Sequence, residues 1–265
     1  GGTAIWCFAR ITKRSQNLSI PLNCLKKYGK LPEHNPNNMA HIIITGSSRG
    51  IGLALAQQAT NKGHQVLALS RNTDTLSHWG KSNLTALAFD ITRQENIRDA
   101  DAWIDQNWGG QIDVLINNAG VLAHKPLAQT TLEDFQSVYA VNVFGPALLM
   151  GLWAPKMGKK GHVVNISSMG GIQGSAKFAG LAAYSSSKGA LITLTELLAE
   201  EYKETGPHFN ALALGAVDTE MLQQAFPGYK ATTTSEEMAA YILDFALHRG
   251  ALLNGKVIQV SNSTP

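Results

Sequence analysis

Residues 45–52 read Thr45-Gly46-Ser47-Ser48-Arg49-Gly50-Ile51-Gly52. An apolar run typical of a buried strand precedes this stretch, and a helix-like run follows it. Glycines at such a junction let the chain turn sharply, let a pyrophosphate approach the backbone, and let the helix pack close to the strand. The helix N-terminus adds unpaired N–H groups and a partial positive charge. The stretch therefore predicts a strand–turn–helix unit that binds phosphate, with a purely structural turn as the alternative.

Short apolar runs alternate with helix-like runs from residue 39 to the end of the chain. The strand-like runs are 41–45, 65–69, 84–89, 112–116, 162–166, 208–214 and 256–260. The helix-like runs are 51–62, 94–107, 131–152, 182–204 and 235–248, with a weaker one at 73–80. This alternation predicts an α/β fold in which helices cover both faces of a parallel sheet. No repeat or linker divides residues 39–265, so we expect one domain there.

The charge of the chain is divided unevenly along its length. The whole chain of 265 residues has a formal net charge of +3. Residues 1–38 contain six Lys or Arg and one Glu, a balance of +5, so the remainder carries −2. The basic character belongs to the first segment, and we expect no nucleic-acid partner for the rest. Both cysteines, Cys7 and Cys24, also lie in that segment, so we expect neither disulfides nor a metal site in residues 39–265.

Residues 1–38 show no sustained hydrophobic period and end in a polar, proline-containing run before Met39. We expect a non-catalytic extension, disordered or loosely attached, outside the folded domain. A basic targeting peptide and residues upstream of a natural start at Met39 are the alternatives. No later stretch approaches the ~20 apolar residues of a membrane span. We therefore expect a cytoplasmic protein without a membrane partner.

A tyrosine and a lysine four residues apart, Tyr184 and Lys188, lie within the helix-like run 182–204. One helical turn separates them, so both side chains leave the same face. An ammonium group ~4 Å from a phenol favours the phenolate and can lower the phenol pKa from ~10 towards ~7. Alone, this spacing is more typical of a solvated helix face.

Three motifs together identify a family. The glycines are spaced G-x-x-x-G-x-G, Asn117-Asn118-Ala119-Gly120 follows the fourth strand, and Tyr184 and Lys188 form Y-x-x-x-K. The three motifs follow one another in the order found in the short-chain dehydrogenases/reductases, and the chain resembles the compact single-domain form of that family. The resemblance covers residues 39–265 and none of 1–38. It implies a Rossmann-type, doubly wound sheet of about seven strands in the order 3-2-1-4-5-6-7.

The resemblance also implies a catalytic set, namely Asn142, Ser168, Tyr184 and Lys188. Tyr184 would protonate the substrate oxygen, Ser168 would hydrogen-bond it, and Lys188 would keep the phenol acidic while gripping the nicotinamide ribose. Asn142 would hold a water that links Lys188 to solvent. The adjacent Ser167 is the alternative to Ser168.

Most of the implied cofactor-binding residues follow strands, and Tyr184 and Lys188 lie in the helix-like run 182–204. They are Gly46, Ser48, Arg49, Gly50, Ile51, Gly52, Ser70, Arg71, Asp90, Ile91, Asn118, Ala119, Gly120, Tyr184, Lys188, Gly215, Val217 and Thr219. For Asp90, which would contact the adenine, the alternative is a helix cap. The second strand ends at Ser70-Arg71, with no carboxylate for a ribose 2′-hydroxyl. Arg49 and Arg71 suit a 2′-phosphate, so we expect NADP(H) rather than NAD(H).

Two features depart from the family pattern. Leu214 stands where the family usually has a proline, which frees a backbone angle beside the nicotinamide. Ser168 and Tyr184 are also further apart than the resemblance implies, so residues 173–180 form an insertion. This insertion borders the substrate pocket, and we expect it to affect specificity.

The expected pocket is mostly apolar. Its residues would be Phe178, Leu181, Met221, Leu222, Phe226 and Tyr229, with Lys177, Glu220 and Lys230 as the charged ones. We therefore expect hydride transfer between the nicotinamide and a neutral or partly apolar carbonyl compound or secondary alcohol; a 3-oxoacyl reductase is one option. A non-catalytic redox sensor on the same fold is the rival hypothesis. Helices 131–152 and 182–204 resemble the faces through which relatives form homodimers or homotetramers.

Overall fold

The computed structural model describes residues 39–261, and the extension expected for residues 1–38 lies outside them. Seven strands form one parallel sheet in the order β3-β2-β1-β4-β5-β6-β7, which confirms the predicted fold class. The strands are β1 (His41–Thr45), β2 (Gln65–Ser70), β3 (Leu84–Ala88), β4 (Val114–Asn117), β5 (His162–Ser168), β6 (His208–Leu214) and β7 (Lys256–Val260).

Within the described residues, eight α-helices connect or follow the strands. They are α1 (Gly50–Asn61), α2 (Asp74–Ser77), α3 (Gln94–Trp108), α4 (Leu132–Tyr139), α5 (Gly145–Trp153), α6 (Ala182–Glu201), α7 (Glu220–Ala225) and α8 (Ser235–His248). Two predictions differ from this result. The run 131–152 is not one regular helix, because a π-helical segment, Ala140–Phe144, separates α4 from α5. Helix α7 was not predicted, since six residues are too short to show a helical period.

Alternate residues of each strand enter two separate cores. In β1, Ile42 and Ile44 pack on one face, and Ile43 packs on the other. Successive strand side chains point to opposite faces, so a strand buried on both sides must be apolar throughout. The sheet therefore lies between two helical layers.

The strand order reverses between β1 and its neighbours β2 and β4. Loops at the carboxyl ends of β1 and β4 leave towards opposite faces there, which opens a crevice. The predicted phosphate-binding loop follows β1 at this crevice. The topology thus places the glycine motif at the one edge of the sheet where open α/β folds bind ligands.

The helical run Leu132–Lys156 is long and apolar enough, by length and composition, to cross a membrane. It is an exception to the expectation that no stretch approaches such a span. Half of its most apolar part is buried inside the fold, as in the core helix of a globular domain. Trp153 and Leu149, on α5, are fully buried against the sheet.

Candidate active site

A cavity of about 620 Å³ opens at the carboxyl ends of the strands. The glycine loop after β1 forms one wall, and the ends of β2, β3, β4, β5 and β6 supply much of the remainder, together with α6 and α7. Its size is that of a site for a small molecule or cofactor. Every predicted cofactor-binding residue lines this cavity, as do Ser168, Tyr184 and Lys188.

The glycine loop is closed against the end of β4. Gly46 has φ +71°, and a Cβ there would lie 2.7 Å from the Ala119 Cα. A Cβ on Gly52 would lie 2.1 Å from the Gly46 carbonyl oxygen. The Asn118 side-chain amide donates to the carbonyl oxygens of Thr45 and Gly46, both at 3.1 Å. Only glycine permits this approach, so the loop conformation depends on positions 46 and 52.

The loop and the helix after it fit a phosphate group. Arg49 is the N-cap of α1, and its side chain accepts no hydrogen bond from the first turn. Serine, threonine or aspartate usually caps such a turn from its own side chain. The N–H groups at the start of this 12-residue helix therefore face the cavity mouth without a side-chain acceptor, as an anion site requires.

Ser168, Tyr184 and Lys188 meet on the other side of the cavity. Ser168 ends β5, and its hydroxyl lies close enough to the Tyr184 phenol to affect the pKa of that phenol. The Lys188 Nζ lies 5.8 Å from the centroid of the Tyr184 ring and donates to the Ile166 carbonyl oxygen at 2.8 Å. The neighbouring Ser167 hydroxyl instead donates to the Lys188 carbonyl oxygen at 2.9 Å. Ser168 rather than Ser167 is thus the hydroxyl beside the phenol.

Burial shifts the pKa of both α6 side chains. It raises the pKa of Tyr184, and the nearby Ser168 hydroxyl opposes that shift. It lowers the pKa of Lys188 to about 8. The expectation that Lys188 lowers the phenol pKa differs from this result, because the loss of solvation at Tyr184 outweighs attraction from an ammonium that donates elsewhere.

Asn142 lies in the π-helical segment and is fully buried. Its amide nitrogen donates to the Val121 carbonyl oxygen and to the Ser187 hydroxyl, each at 2.9 Å. Its Oδ1 accepts from the Val121 N–H at 2.9 Å. Asn142 does not line the cavity. Its hydrogen bonds connect Val121, in the segment after β4, to Ser187 of α6, the residue before Lys188.

The end of the cavity near β2 and β3, where the adenosine was expected, is polar. The Asp90 carboxylate accepts from the Thr92 hydroxyl at 2.7 Å and from the Thr92 N–H at 2.9 Å. These bonds, together with nearby Arg71 and Arg93, lower the pKa of Asp90. The Ser70 hydroxyl donates to the Asn72 carbonyl oxygen at 2.7 Å. Arg49, expected to meet a 2′-phosphate, forms an ion pair with Glu220.

The substrate side of the cavity is mainly apolar. Phe178, Leu181, Met221, Leu222 and Phe226 line it as predicted. Phe178 and Phe226 meet edge to face with centroids 5.1 Å apart, which joins the insertion to the residue after α7. Tyr229, Lys177 and Lys230 do not line the cavity, which corrects the prediction.

The lysine of the insertion contacts its own loop. Lys177 Nζ donates to the Ser175 hydroxyl at 2.6 Å and to the Ile172 carbonyl oxygen. Sequence reasoning also missed several residues that line this side, namely Val121, Leu122, Met169 and Ala225. Each lies within two residues of a predicted site position, and adjacency in sequence was the only available signal.

Leu214 in place of proline continues β6. It pairs in register with Ser168 of β5 and with Val260 of β7. The next residue, Gly215, donates its N–H to the Val260 carbonyl oxygen at 2.9 Å. The Thr219 hydroxyl accepts from the Leu222 N–H at 3.2 Å and so caps α7. The segment after β6 is therefore anchored at both ends.

Comparisons with known proteins agree with this geometry. Residues 40–230 match the model of the short chain dehydrogenase family. The short-chain dehydrogenase cctT of Talaromyces islandicus is 35% identical over 181 residues, which cover 67% of this chain and 63% of that protein. The gluconate 5-dehydrogenase of Gluconobacter oxydans (strain 621H) is 30% identical over 241 residues, 83% of this chain and 93% of that protein.

Solved structures share the fold. A 4-hydroxyisoleucine dehydrogenase complexed with NADH superposes with a TM-score of 0.76 at 24% identity, over 85% of this chain and 98% of that one. The structure of ElxO with NADP bound gives a TM-score of 0.73 at 27% identity, and the match covers 84% of this chain and 97% of that one. Proteins of this fold thus hold nicotinamide cofactors of both kinds.

Replacing Gly52 by alanine tests the glycine loop. We expect Gly52→Ala to destabilise the protein by about 3 kcal/mol, because the new methyl group meets the backbone of the loop. Thermal or urea unfolding measures the change. Gly158→Ala is the matched control, since a Cβ there meets nothing within 4 Å, and it should shift stability by less than about 0.5 kcal/mol. Equal unfolding midpoints for the two variants would contradict the close approach.

Proposed function

The chain belongs to the short-chain dehydrogenase family, and on that premise we propose that it is an NADP(H)-dependent reductase of apolar carbonyl compounds. At the coarser level it is an oxidoreductase that acts on alcohol or carbonyl groups. One observation carries the proposal. Tyr184, Ser168 and Lys188 converge in the same cavity as a glycine loop that fits phosphate.

The bound nicotinamide supplies the hydride in reduction, and the chain must orient the carbonyl and deliver one proton. The raised pKa of Tyr184 keeps its proton on the phenol at neutral pH. In the proposed mechanism Ser168 donates a hydrogen bond to the substrate oxygen, and Tyr184 transfers its proton to the same oxygen as negative charge develops there.

Lys188 has the task of stabilising the phenolate left on Tyr184. Its pKa of about 8 leaves it mostly protonated at pH 7. Among residues 39–261, no carboxylate forms an ion pair with it. Burial outweighs the attraction of this ammonium for the resting phenol, but the attraction acts on the phenolate that forms when the proton leaves. Proton loss from Tyr184 is therefore favoured once the substrate accepts the proton.

A small polar space beside Gly120 supports the proposed proton route. A Cβ on Gly120 would lie 3.5 Å from both the Asn142 Oδ1 and the Lys188 Nζ. Glycine leaves this volume open between an acceptor and a donor, which suits a water molecule. We propose that Asn142 holds a water there and that this water returns a proton towards Tyr184 through Lys188.

The NADP(H) preference rests on the end of β2. The position that would carry a carboxylate in an NAD site is Ser70, and Arg71 follows it on the cavity wall. No ion pair engages Arg71 within the described part of the chain. A guanidinium without a carboxylate partner is suited to bind a phosphate.

The substrate class follows from the charges around the apolar side. Lys177 is turned to its own loop, and Lys125 pairs with Asp134 at 2.8 Å. The remaining wall consists of aliphatic and aromatic groups such as Phe178 and Leu222. A carboxylate or phosphate on the substrate would lose hydration there without gaining a cationic partner. Neutral, apolar ketones or secondary alcohols fit best.

An exposed apolar stripe supports self-association. Phe144, Leu148 and Leu152 lie four residues apart and are 55%, 50% and 37% exposed. Leu197 of α6 is 60% exposed. Residues at this spacing share one helix face, and we propose that this face forms a homodimer interface.

A carbonyl panel with wild type and Tyr184→Phe tests the function. We expect wild type to oxidise NADPH with apolar ketones but not with sugar acids, and Tyr184→Phe to lower kcat about 10²- to 10⁴-fold through loss of its proton donor. Cofactor binding should persist. Tyr241→Phe, outside the cavity, is the control. Turnover of wild type no faster than Tyr184→Phe on every ketone would instead favour a non-catalytic redox sensor.

Replacing Arg71 by alanine tests the cofactor preference. We expect the Kd of NADPH to rise about tenfold or more, since a hydrogen bond to a charged group contributes about 1.5–3 kcal/mol, while the Kd of NADH stays the same. Fluorescence titration measures both constants. Arg98→Ala, an exposed arginine outside the cavity, should change neither. An equal loss of affinity for NADH and NADPH would contradict the proposed contact between Arg71 and the 2′-phosphate.

A charge in the stripe tests the interface. We expect wild type to sediment as a dimer or a dimer of dimers, and Leu148→Arg to sediment as a smaller species because an unpaired charge in an apolar contact is costly. Leu127→Arg, 66% exposed elsewhere, should leave the assembly intact. A monomeric wild type in analytical ultracentrifugation would contradict the interface.

A further inference from the structure

An ion pair joins two distant segments at the cavity mouth. Arg49 belongs to the glycine loop after β1, and its Nη1 donates to the Glu220 Oε2. Glu220 is the first residue of α7, in the segment after β6. Both residues line the cavity. The pair therefore lies within the site and bridges its two sides.

The residues beside the pair are also close to each other. A Cβ on Gly50 would lie 3.5 Å from the Thr219 Cγ2. Gly50 and Thr219, the chain neighbours of Arg49 and Glu220, are thus in near contact. The two charges meet because the fold brings residues 50 and 219 together.

The pair is easily exchanged for another partner. The side chains of Arg49 and Glu220 are 65% and 69% exposed. Exposed ion pairs contribute little, and salt screens them. A phosphate dianion can bind a guanidinium with two parallel hydrogen bonds and more charge than a carboxylate. Arg49 will therefore leave Glu220 if a phosphate enters the cavity within its reach.

Resting on the NADP(H) preference proposed above, we propose that Glu220 is a specificity-determining residue that competes with the cofactor 2′-phosphate for Arg49. Arg71 makes no ion pair among the described residues, so it is ready to bind phosphate at once. Arg49 must first release a carboxylate. Glu220 consequently lowers the affinity for NADPH and leaves that for NADH unaffected.

The exchange reaches the substrate side through α7. The residues that follow Glu220 in this helix, Met221, Leu222 and Ala225, line the apolar wall. While Arg49 holds Glu220, the start of α7 is tied to the glycine loop. Transfer of Arg49 to a phosphate removes that tie. The same carboxylate thus links cofactor choice to the helix that covers the substrate.

A double-mutant cycle on Arg49 and Glu220 tests the competition. We expect Glu220→Gln to lower the Kd of NADPH about threefold, the range of an exposed ion pair, and to leave the Kd of NADH unchanged. In an Arg49→Gln background the same substitution should have no effect on NADPH. Fluorescence titration with each cofactor at fixed salt gives the constants, and thermal unfolding verifies that each variant folds.

The control is Glu200→Gln. Glu200, near the end of α6, forms a similarly exposed ion pair with Lys203, which follows the helix, and both lie outside the cavity. The substitution Glu200→Gln changes the net charge by the same amount as Glu220→Gln. Because Glu200 lies outside the cavity, we expect this control to leave both Kd values unchanged. An equal gain in NADPH affinity from Glu200→Gln would mean a general charge effect and overturn the proposal.

Other outcomes separate this inference from the proposed function. If wild type prefers NADPH but Glu220→Gln leaves its Kd unchanged, only the role of Glu220 fails. If the gain persists in the Arg49→Gln background, Glu220 repels the phosphate directly and the competition is overturned. If wild type binds NADH as tightly as NADPH and Arg49→Gln changes neither, the cofactor preference itself fails.

Discussion

The close approach of the glycine loop to the end of β4 is the constraint on which the site depends. Gly46 and Gly52 leave no room for side chains, and Asn118 fills the remaining space with two hydrogen bonds to the loop carbonyls. The Thr45 hydroxyl accepts in return from the N–H groups of Asn118 and Ala119. These bonds join the end of β1 to the end of β4 and fix the conformation of both. The start of α1 then faces the cavity in a defined direction.

A second constraint acts at α6, where a cation is buried beside a phenol. Burial lowers the pKa of Lys188 to about 8, so burying the charged ammonium makes an unfavourable contribution to the stability of the fold. Its Nζ is held by the Ile166 carbonyl oxygen, and its backbone carbonyl by the Ser167 hydroxyl. Asn142 fixes the preceding residue, Ser187. Two separate elements, β5 and the π-helical segment, thus position one ammonium group on α6, which indicates that its location is required despite the unfavourable burial.

Local patterns explain why much of the fold was predictable. Strands buried on both faces must be continuously apolar, as at residues 42–44, and the spacing of the glycines marks the turn after β1, where side chains have no room. The failures have tertiary causes. The π-helical segment has no signal in the local sequence, because it accompanies hydrogen bonds from Asn142 to Val121 and Ser187, which are distant in the chain. Helix α7 lacks a period at six residues. The partner of Arg49 lies 171 residues away and is set by strand order.

The two sides of the cavity are built on different principles, and this explains how a family can share a reaction but not a substrate. The cofactor side consists of backbone, glycines and short polar groups that hold one another, so changes there disturb the loop. The substrate side consists of side chains from residues 173–180 and α7, which meet through Phe178 and Phe226. Such contacts tolerate replacement by other apolar groups. Because Glu220 belongs to both sides, a change in the substrate wall near α7 will also alter how Arg49 is shared.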